Sequence, residues 1–234
     1  MKETLIGLLK LIICILMLMY AETHYFAFLS HIGLNVSGFT PLISELFTFG
    51  LYALMFFIVY LMYQHHLKKD LASFKRKLFP NILMTVAFFA ALTIFLWVIN
   101  YITIVLADSM EVTYQGLNFY NIFNQEFDLV LLSFITRRII LMPLMLVIVY
   151  VLGIYDLINS RKTAIFLTGL LAAGIAVIGM SGTVLAIIFN VIPPFTIFAT
   201  LSYIYHKNNY NIWFSAMTFV LYSMFASLLI ERIT

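Results

Sequence analysis

The sequence predicts an all-α integral membrane protein, a bundle of about seven (six to eight) transmembrane helices forming a single domain over residues 1–234. Hydrophobic residues make up 64% of the chain and charged residues only 10%, whereas about a quarter of the residues in a soluble domain are charged. So few charges leave a surface that lipid, rather than water, has to cover. The mean hydropathy of +1.05 agrees with this interpretation.

The apolar runs divide into seven segments, and a segment of roughly 20 apolar residues crosses a bilayer. We predict spans at about 4–28, 41–64, 79–107, 129–155, 163–180, 183–205 and 210–230. A signal peptide is the alternative for the first segment, but no small-x-small cleavage site precedes a soluble domain, and further apolar runs follow. We therefore expect a retained first span, which contains the single cysteine, Cys14.

The charges between the segments predict an orientation in the plasma membrane. Loops rich in lysine and arginine stay in the cytoplasm. The basic loops carry Lys68, Lys69, Lys75, Arg76, Lys77, Arg161, Lys162 and Lys207. The loops at 29–40 and 108–128 carry none, and the second holds Asp108, Glu111, Glu126 and Asp128. Seven spans then place the N-terminus in the cytoplasm and the C-terminus outside. Because the net charge of +3 comes from membrane-flanking residues, we expect a lipid bilayer and no nucleic acid as partner.

The fourth segment contains two arginines, Arg137 and Arg138, about nine residues from its start. An arginine at the centre of a bilayer costs at least about 2.5 kcal/mol. In one interpretation, 114–136 forms an interfacial elbow or amphipathic helix and the true span begins at Ile139. In the other, the arginines face the bundle and pair with an acid. We favour the elbow.

Several polar side chains lie near the predicted outer ends of the spans, where a metal or acid–base site is conceivable. They are Glu22, His24, His31, Glu45, Glu126 and Asp128. Their spacing does not match a helical ligand motif such as HExxH, so we expect interface residues, no metal and no cofactor. The alternative is a polar site built from Glu22, His24, Glu45, Asn100, Glu126, Arg137 and Arg138.

Three further features favour packing roles. Asn100, in the third span, is typical of an interhelical hydrogen bond. Gly169, Gly174, Gly179, Gly182, Ala172, Ala173 and Ala176 give the fifth span a small-residue face, which predicts close helix packing. Pro193–Pro194 should break or kink the sixth span. Neither the adjacent pair His65–His66 nor His206 predicts a metal site.

Four segments of the chain resemble the CPBP family of CAAX proteases and bacteriocin-processing enzymes, also called the Abi family. They occur along the chain in the same order as in the family. The segment YIYHKNNYNIWFSAMTFVLYSMFASLL at 203–229 is similar to the family's last helix, with Tyr205, Asn211 and Trp213 matching. RKTAIFLTGLLAAGIAVIG at 161–179 and the basic loop HHLKKDLASFKRKLFPNIL are similar to other family segments. In NQEFDLVLLSFITRRIILMPLML at 124–146, the matching residues are Asn124, Gln125, Glu126 and Pro143.

The family's catalytic motifs EExxxR, FxxxH and HxxxN are absent at the corresponding positions. Those positions hold Leu146, Val147, Val151, Ala172, Ala176, Phe219 and Ser223. General acid–base catalysis needs a titratable group within reach of the substrate, and these side chains supply none. The resemblance therefore implies a CPBP-like fold and a pseudoenzyme, with no catalytic residue expected.

Three functions follow as hypotheses. The first is a non-catalytic binding or regulatory partner of another membrane or cell-envelope protein, as the resemblance to bacterial envelope proteins implies. The second is an active intramembrane endopeptidase with displaced catalytic residues, using Glu126, Arg137, Arg138 and either Glu22 or His24. The third is the membrane component of a small-solute transporter, with a pocket lined by Asn100, Trp97 and Tyr101.

Overall fold

The chain is all-helical in the computed structural model, which describes residues 2–112, 114, 128–178, 180 and 182–229. Helices account for 88% of the described residues, and no strand occurs in those ranges. The seven long helices are α1 (Lys2–His31), α2 (Pro41–Arg76), α3 (Leu78–Ser109), α4 (Leu129–Tyr155), α5 (Arg161–Ala176), α6 (Val184–Lys207) and α7 (Ile212–Leu229). Each of the seven predicted segments falls on one of them, and a short 3-10 helix, Val36–Gly38, follows α1.

Five of these helices, α1 to α4 and α6, are long and apolar enough to cross a membrane. The other two are shorter, with 16 residues in α5 and 18 in α7. At 1.5 Å per residue they measure about 24 Å and 27 Å, slightly less than a hydrocarbon core of about 30 Å. The all-α prediction is therefore confirmed for the described residues, and five helices have the dimensions of a span.

Local sequence signals explain where three of the helices begin. Thr40 precedes α2, and its hydroxyl accepts a hydrogen bond from the Ile43 N–H, with Pro41 at the first helical position. Asp128 precedes α4 and accepts from the Leu131 N–H at 2.7 Å. Thr183 does the same for α6. Such side chains satisfy N–H groups that lack a partner in the first turn.

The central helix of the bundle is α4. Of its most apolar stretch, 61% is buried inside the protein, compared with 17–33% for the other four long helices. Met145, Val147, Val149 and Val151 are completely buried. Two stretches of α4, Thr136–Leu141 and Ile148–Leu152, have the wider π-helical geometry, which occurs frequently at functional sites.

The small-residue face predicted for α5 is confirmed in part. A Cβ atom added at Gly169 would lie 2.9 Å from the Phe195 carbonyl oxygen of α6, so these two backbones approach closely. Ala172 and Ala173 are also buried. Gly174 and Ala176 are exposed instead, and Gly179 lies outside the described residues. A break or a kink is predicted at Pro193–Pro194. The break is wrong, because α6 continues through both prolines, and the kink stays a prediction.

Antiparallel neighbours give the bundle two ends of different charge. The basic end carries the exposed lysine and arginine side chains of the α2–α3 turn, the start of α5 and the end of α6. Here α7 begins between α2 and α3, since the Phe214 ring contacts Phe74 at 5.0 Å and Phe88 at 6.4 Å between ring centroids. The acidic end carries Asp108, Glu111 and Asp128.

Candidate functional site

Four ionised side chains meet between α1, α2 and α4, toward the acidic end of the bundle. Arg137 donates to Glu45 twice, from Nε to Oε1 at 2.8 Å and from Nη2 to Oε2 at 2.9 Å. Its Nη1 lies 3.3 Å from Glu22 Oε1. Arg138 Nη2 donates to both oxygens of Glu22, at 2.7 and 2.8 Å. We call Glu22, Glu45, Arg137 and Arg138 the charge cluster.

Tyr52 completes the charge cluster from α2. Its hydroxyl donates to Glu22 Oε2 at 2.6 Å. The guanidinium carbon of Arg137 lies 5.2 Å from the centre of the Tyr52 ring, and that of Arg138 lies 5.6 Å from it. Stacking of this kind stabilises a cation that has lost water. The aromatic ring thus contacts both arginines while its hydroxyl holds the acid between them.

Burial decides what the charge cluster is able to do chemically. The Arg137 side chain is 6% exposed and Glu45 14%, while Glu22 is 35% exposed. The two acids and two bases sum to zero charge, and both carboxylates accept from arginine or tyrosine donors. An ionised carboxylate can only accept hydrogen bonds. Because the oxygens of Glu22 and Glu45 already accept from these donors, each carboxylate is a poor general base. The arrangement is suited to joining three helices electrostatically.

The predicted interfacial elbow at 114–136 is wrong for residues 129–136, the part of it that the structure places in a helix. Residues 129–136 belong to the same continuous helix as Ile139, and residues 115–127 lie outside the described part of the chain. The second alternative is confirmed, because both arginines face the bundle and pair with acids. The elbow was favoured because an isolated arginine charge is costly inside a bilayer, and pairing with the acids removes that cost.

The other predicted polar residues do not join the charge cluster. His24 is exposed on α1, where its ring stacks on Tyr20 at a centroid distance of 6.1 Å. Asn100 Oδ1 accepts a hydrogen bond from the Tyr114 hydroxyl at 2.7 Å, and burial raises the pKa of Tyr114 to about 12, which keeps that donor protonated. His31 is exposed, and Glu126 lies outside the described residues.

The positions that correspond to the protease motifs lie mainly in the apolar core. Val147 and Val151 are completely buried in α4, and Ala172 packs in the same core. Phe219 contacts Phe198 at 5.3 Å between ring centroids. Ser223 is buried on α7, and Ala176 is exposed. Among the described residues, no group of three His, Cys, Asp or Glu side chains is arranged to hold a metal ion.

Leu146, which the family resemblance aligns with the first glutamate of the EExxxR motif, lines an open groove of about 400 Å³ between α1, α4 and α5. The α4 wall is Met142, Leu146 and Tyr150. Another wall is Ile175 of α5 and Ile178, which lies two residues beyond the end of α5. The α1 wall is formed by Leu18, Met19, Tyr20, Thr23 and His24. Most of the side chains that line the groove are apolar, and the polar ones belong to the tyrosines, Thr23 and His24.

A second polar site, at the basic end, joins α2 to the start of α7. The Asp70 carboxylate accepts from the Ile212 N–H at 3.1 Å, and the Asp70 carbonyl accepts from Asn211 Nδ2 at 2.9 Å. Trp213 Nε1 donates to the Leu67 carbonyl at 3.2 Å. We call these contacts the α2–α7 latch. Asn211 and Trp213 were singled out by the family resemblance, whereas no sequence signal indicated that Asp70 would be their partner.

The other three histidines considered above, His65, His66 and His206, lie at the basic end. His66 Nε2 lies 3.5 Å from Asp156 Oδ1. Partial burial raises the pKa of Asp156 above its ordinary value, and the charges of His66 and Lys10 lower it in part. The His65 and His66 rings stand nearly perpendicular to each other, at 82°. His206 contacts the Tyr210 ring at 5.1 Å between centroids.

Trp97 and Tyr101, expected to line a transporter pocket with Asn100, lie on the outside of α3. They are 62% and 63% exposed, and their rings stack on each other at a centroid distance of 6.5 Å. The likeness to the CPBP family rests on the short sequence matches quoted above and stays a prediction. No protein-family model, curated protein or solved structure matches this chain.

Proposed function

We propose that this chain is a seven-span protein of the plasma membrane, with a CPBP-like scaffold, that binds another membrane or cell-envelope protein without catalysing a reaction. The groove between α1, α4 and α5 is the proposed binding site. The observation that carries the proposal is the position of Leu146, which puts an apolar side chain on the groove wall where a related enzyme would have a glutamate. An apolar groove on a lipid-facing bundle suits an apolar helical segment.

The membrane location is supported by five helices of spanning length and by the separation of charge between the two ends. A charged residue inside a membrane is tolerated when it faces the bundle and has a partner, and the arginines of α4 meet that condition. The proposed orientation places the basic end and the N-terminus in the cytoplasm and the C-terminus outside.

The charge cluster supports a binding role over peptide hydrolysis. A peptidase needs a base that can take a proton from water, and Glu22 and Glu45 already accept from Arg137, Arg138 and Tyr52. Replacing Glu126 by glutamine tests the enzymatic alternative directly. Loss of a peptide-cleaving activity by a folded variant would favour the peptidase, and an unchanged phenotype would count against it.

Photo-crosslinking in native membranes tests the binding site. A benzophenone amino acid replaces Tyr20 or Ile178 in the groove, and the matched control replaces Phe166, which is exposed on α5 outside the groove. We expect an adduct with one integral membrane protein from the two groove positions and none from the control. Leu146→Trp, which fills the groove, should remove the adduct. Equal labelling from Phe166, or adducts that survive Leu146→Trp, would overturn the proposed site.

Cysteine labelling in intact cells tests the orientation separately. In a Cys14→Ala background, Ser73→Cys lies at the basic end and Ser37→Cys follows α1 near the other end, and both positions are exposed. A membrane-impermeant maleimide should label position 37 and reach position 73 only after the cells are broken. The reverse pattern would invert the proposed topology.

A further inference from the structure

Eight of the chain's thirteen lysines and arginines project from the basic end. They are Lys68, Lys69, Lys75, Arg76, Lys77, Arg161, Lys162 and Lys207, and all eight are exposed. We call them the basic face. Within the ranges that the structure describes, none of the eight takes part in an ion pair. Their charges are therefore available to a partner outside the chain.

The acids described at this end do not neutralise the basic face. The Asp70 carboxylate is buried and accepts from the first N–H of α7. The Asp156 carboxylate lies beside His66. These two acids stand against the eight exposed cations. The outward potential of this end is therefore positive, and that field attracts anions.

The helix α2, which carries four of the cations, is held in place, and a fifth cation, Lys77, directly follows it. In the α2–α7 latch, the Leu67 and Asp70 carbonyls accept from the Trp213 and Asn211 side chains, and the Asp70 carboxylate accepts from the Ile212 N–H. One turn further, Asn81 Nδ2 of α3 donates to the Phe74 carbonyl at 2.7 Å. These contacts surround the basic stretch at both ends, so the cations belong to an ordered surface with a fixed direction.

Exposed apolar and aromatic side chains lie next to the basic face. Leu78 and Phe79 follow Lys77 directly and are 50% and 72% exposed. Tyr210 is 47% exposed, and its ring packs against half-buried Tyr155 and buried Tyr205 at centroid distances of 5.9 and 5.5 Å. An exposed tyrosine such as Tyr210 is typical of the level of lipid headgroups. The cations are therefore placed beside a lipid-facing rim.

We propose that the basic face binds the headgroups of anionic phospholipids in the cytoplasmic leaflet. Clusters of four to eight lysines and arginines next to a span are typical of such sites. A soluble acidic protein would fit the charge equally well, but it would have no use for exposed Leu78 and Phe79 beside the cations. This inference rests on the membrane location proposed above and does not depend on a partner in the groove.

Lipid retention by the full-length protein tests the inference. The protein is reconstituted in bilayers of equal phosphatidylglycerol and phosphatidylcholine, extracted in mild detergent, and analysed for bound lipid by mass spectrometry. We expect about threefold enrichment of phosphatidylglycerol over the starting ratio, weakened by high salt. The variant K68Q/K69Q/K75Q/R76Q/K77Q should lose the enrichment, and the charge-preserving control K68R/K69R/K75R/K77R should keep it.

Folding is monitored by helix content and thermal stability in phosphatidylcholine alone. If the five-site variant does not fold, R161Q/K162Q/K207Q replaces it and should lower the enrichment in part. Unchanged enrichment in a folded glutamine variant would overturn the proposal that the basic face binds lipid headgroups. An equal loss of enrichment in the arginine control would overturn it too. Salt-sensitive binding of a polyglutamate peptide in phosphatidylcholine bilayers without lipid enrichment would assign the face to an acidic protein instead. Failure to insert into any bilayer would contradict the membrane location itself.

Discussion

Arg137 binds both carboxylate oxygens of Glu45, although the two residues are 92 positions apart in the chain. This fork-to-fork geometry fixes the rotation of α4 relative to α2. A paired arginine and carboxylate with two parallel hydrogen bonds are stronger and more specific than a single contact. Since Arg137 is nearly inaccessible, the pair is an internal joint of the bundle.

Removing one member of this pair should destabilise the protein more than removing both. Glu45→Leu or Arg137→Met leaves a buried charge without its principal partner, which costs about 3–5 kcal/mol. The double variant should recover most of that loss, because two apolar side chains pack where the pair was. Reversible unfolding in detergent micelles measures the four free energies. Additive losses in the double variant would contradict a coupled pair.

The Tyr52 hydroxyl should contribute to stability through Glu22. Tyr52→Phe removes a 2.6 Å hydrogen bond to a carboxylate and keeps the ring that contacts both arginines. Because a hydrogen bond to a charged group is worth about 1.5–3 kcal/mol, we expect a loss in that range. Tyr203→Phe, which alters an exposed tyrosine of α6, is the control and should have no effect. Equal behaviour of the two variants would show that the hydroxyl contributes nothing.

The start of α7 should loosen when Asp70 is replaced. Asp70→Ala removes the acceptor of the Ile212 N–H, and losing such a cap costs about 0.5–2 kcal/mol. Hydrogen exchange of the Ile212 amide should accelerate, while amides in the middle of α7 keep their rates. Ser73→Ala, at an exposed position of the same helix, is the control. Unchanged exchange at Ile212 would rule out a capping role for Asp70.

Two glycines of α5 should respond in opposite ways to alanine. At Gly169 the added Cβ meets the Phe195 carbonyl at 2.9 Å and its ring at 3.0 Å, so α5 and α6 must separate, at about 1–3 kcal/mol. At Gly174 the added Cβ has nothing within 4 Å, and alanine should stabilise the helix by up to about 1 kcal/mol. Thermal unfolding compares the two variants. Unchanged thermal stability of Gly169→Ala would mean that α5 and α6 do not approach this closely.

Much of the secondary structure was predictable because its causes are local. The apolar runs place all seven helices, and the capping residues Thr40, Asp128 and Thr183 lie directly before helices. The small residues of α5 indicated close packing, yet Gly174 faces outward. Composition identifies a small-residue face, whereas the rotation of the helix decides which of its members meet a neighbour.

The candidate site was predictable only as a set of residues. The predicted polar alternative contains Glu22, Glu45, Arg137 and Arg138. It also contains His24 and Asn100, which lie elsewhere. The preference for an elbow followed from the cost of an unpaired arginine. That cost falls sharply once an acid on another helix is in reach, and spacing along one chain segment carries no information about that distance.

The apolar helices, their positions along the chain and the basic or acidic character of the turns follow from the sequence alone, because hydropathy, capping and charge are properties of neighbouring residues. The pairing of Arg137 with Glu45, the capping of α7 by Asp70 and the place of Leu146 in a groove are visible only in the folded bundle. Those outcomes depend on how each helix is rotated against the others, which is set by the packing of side chains that are distant in sequence.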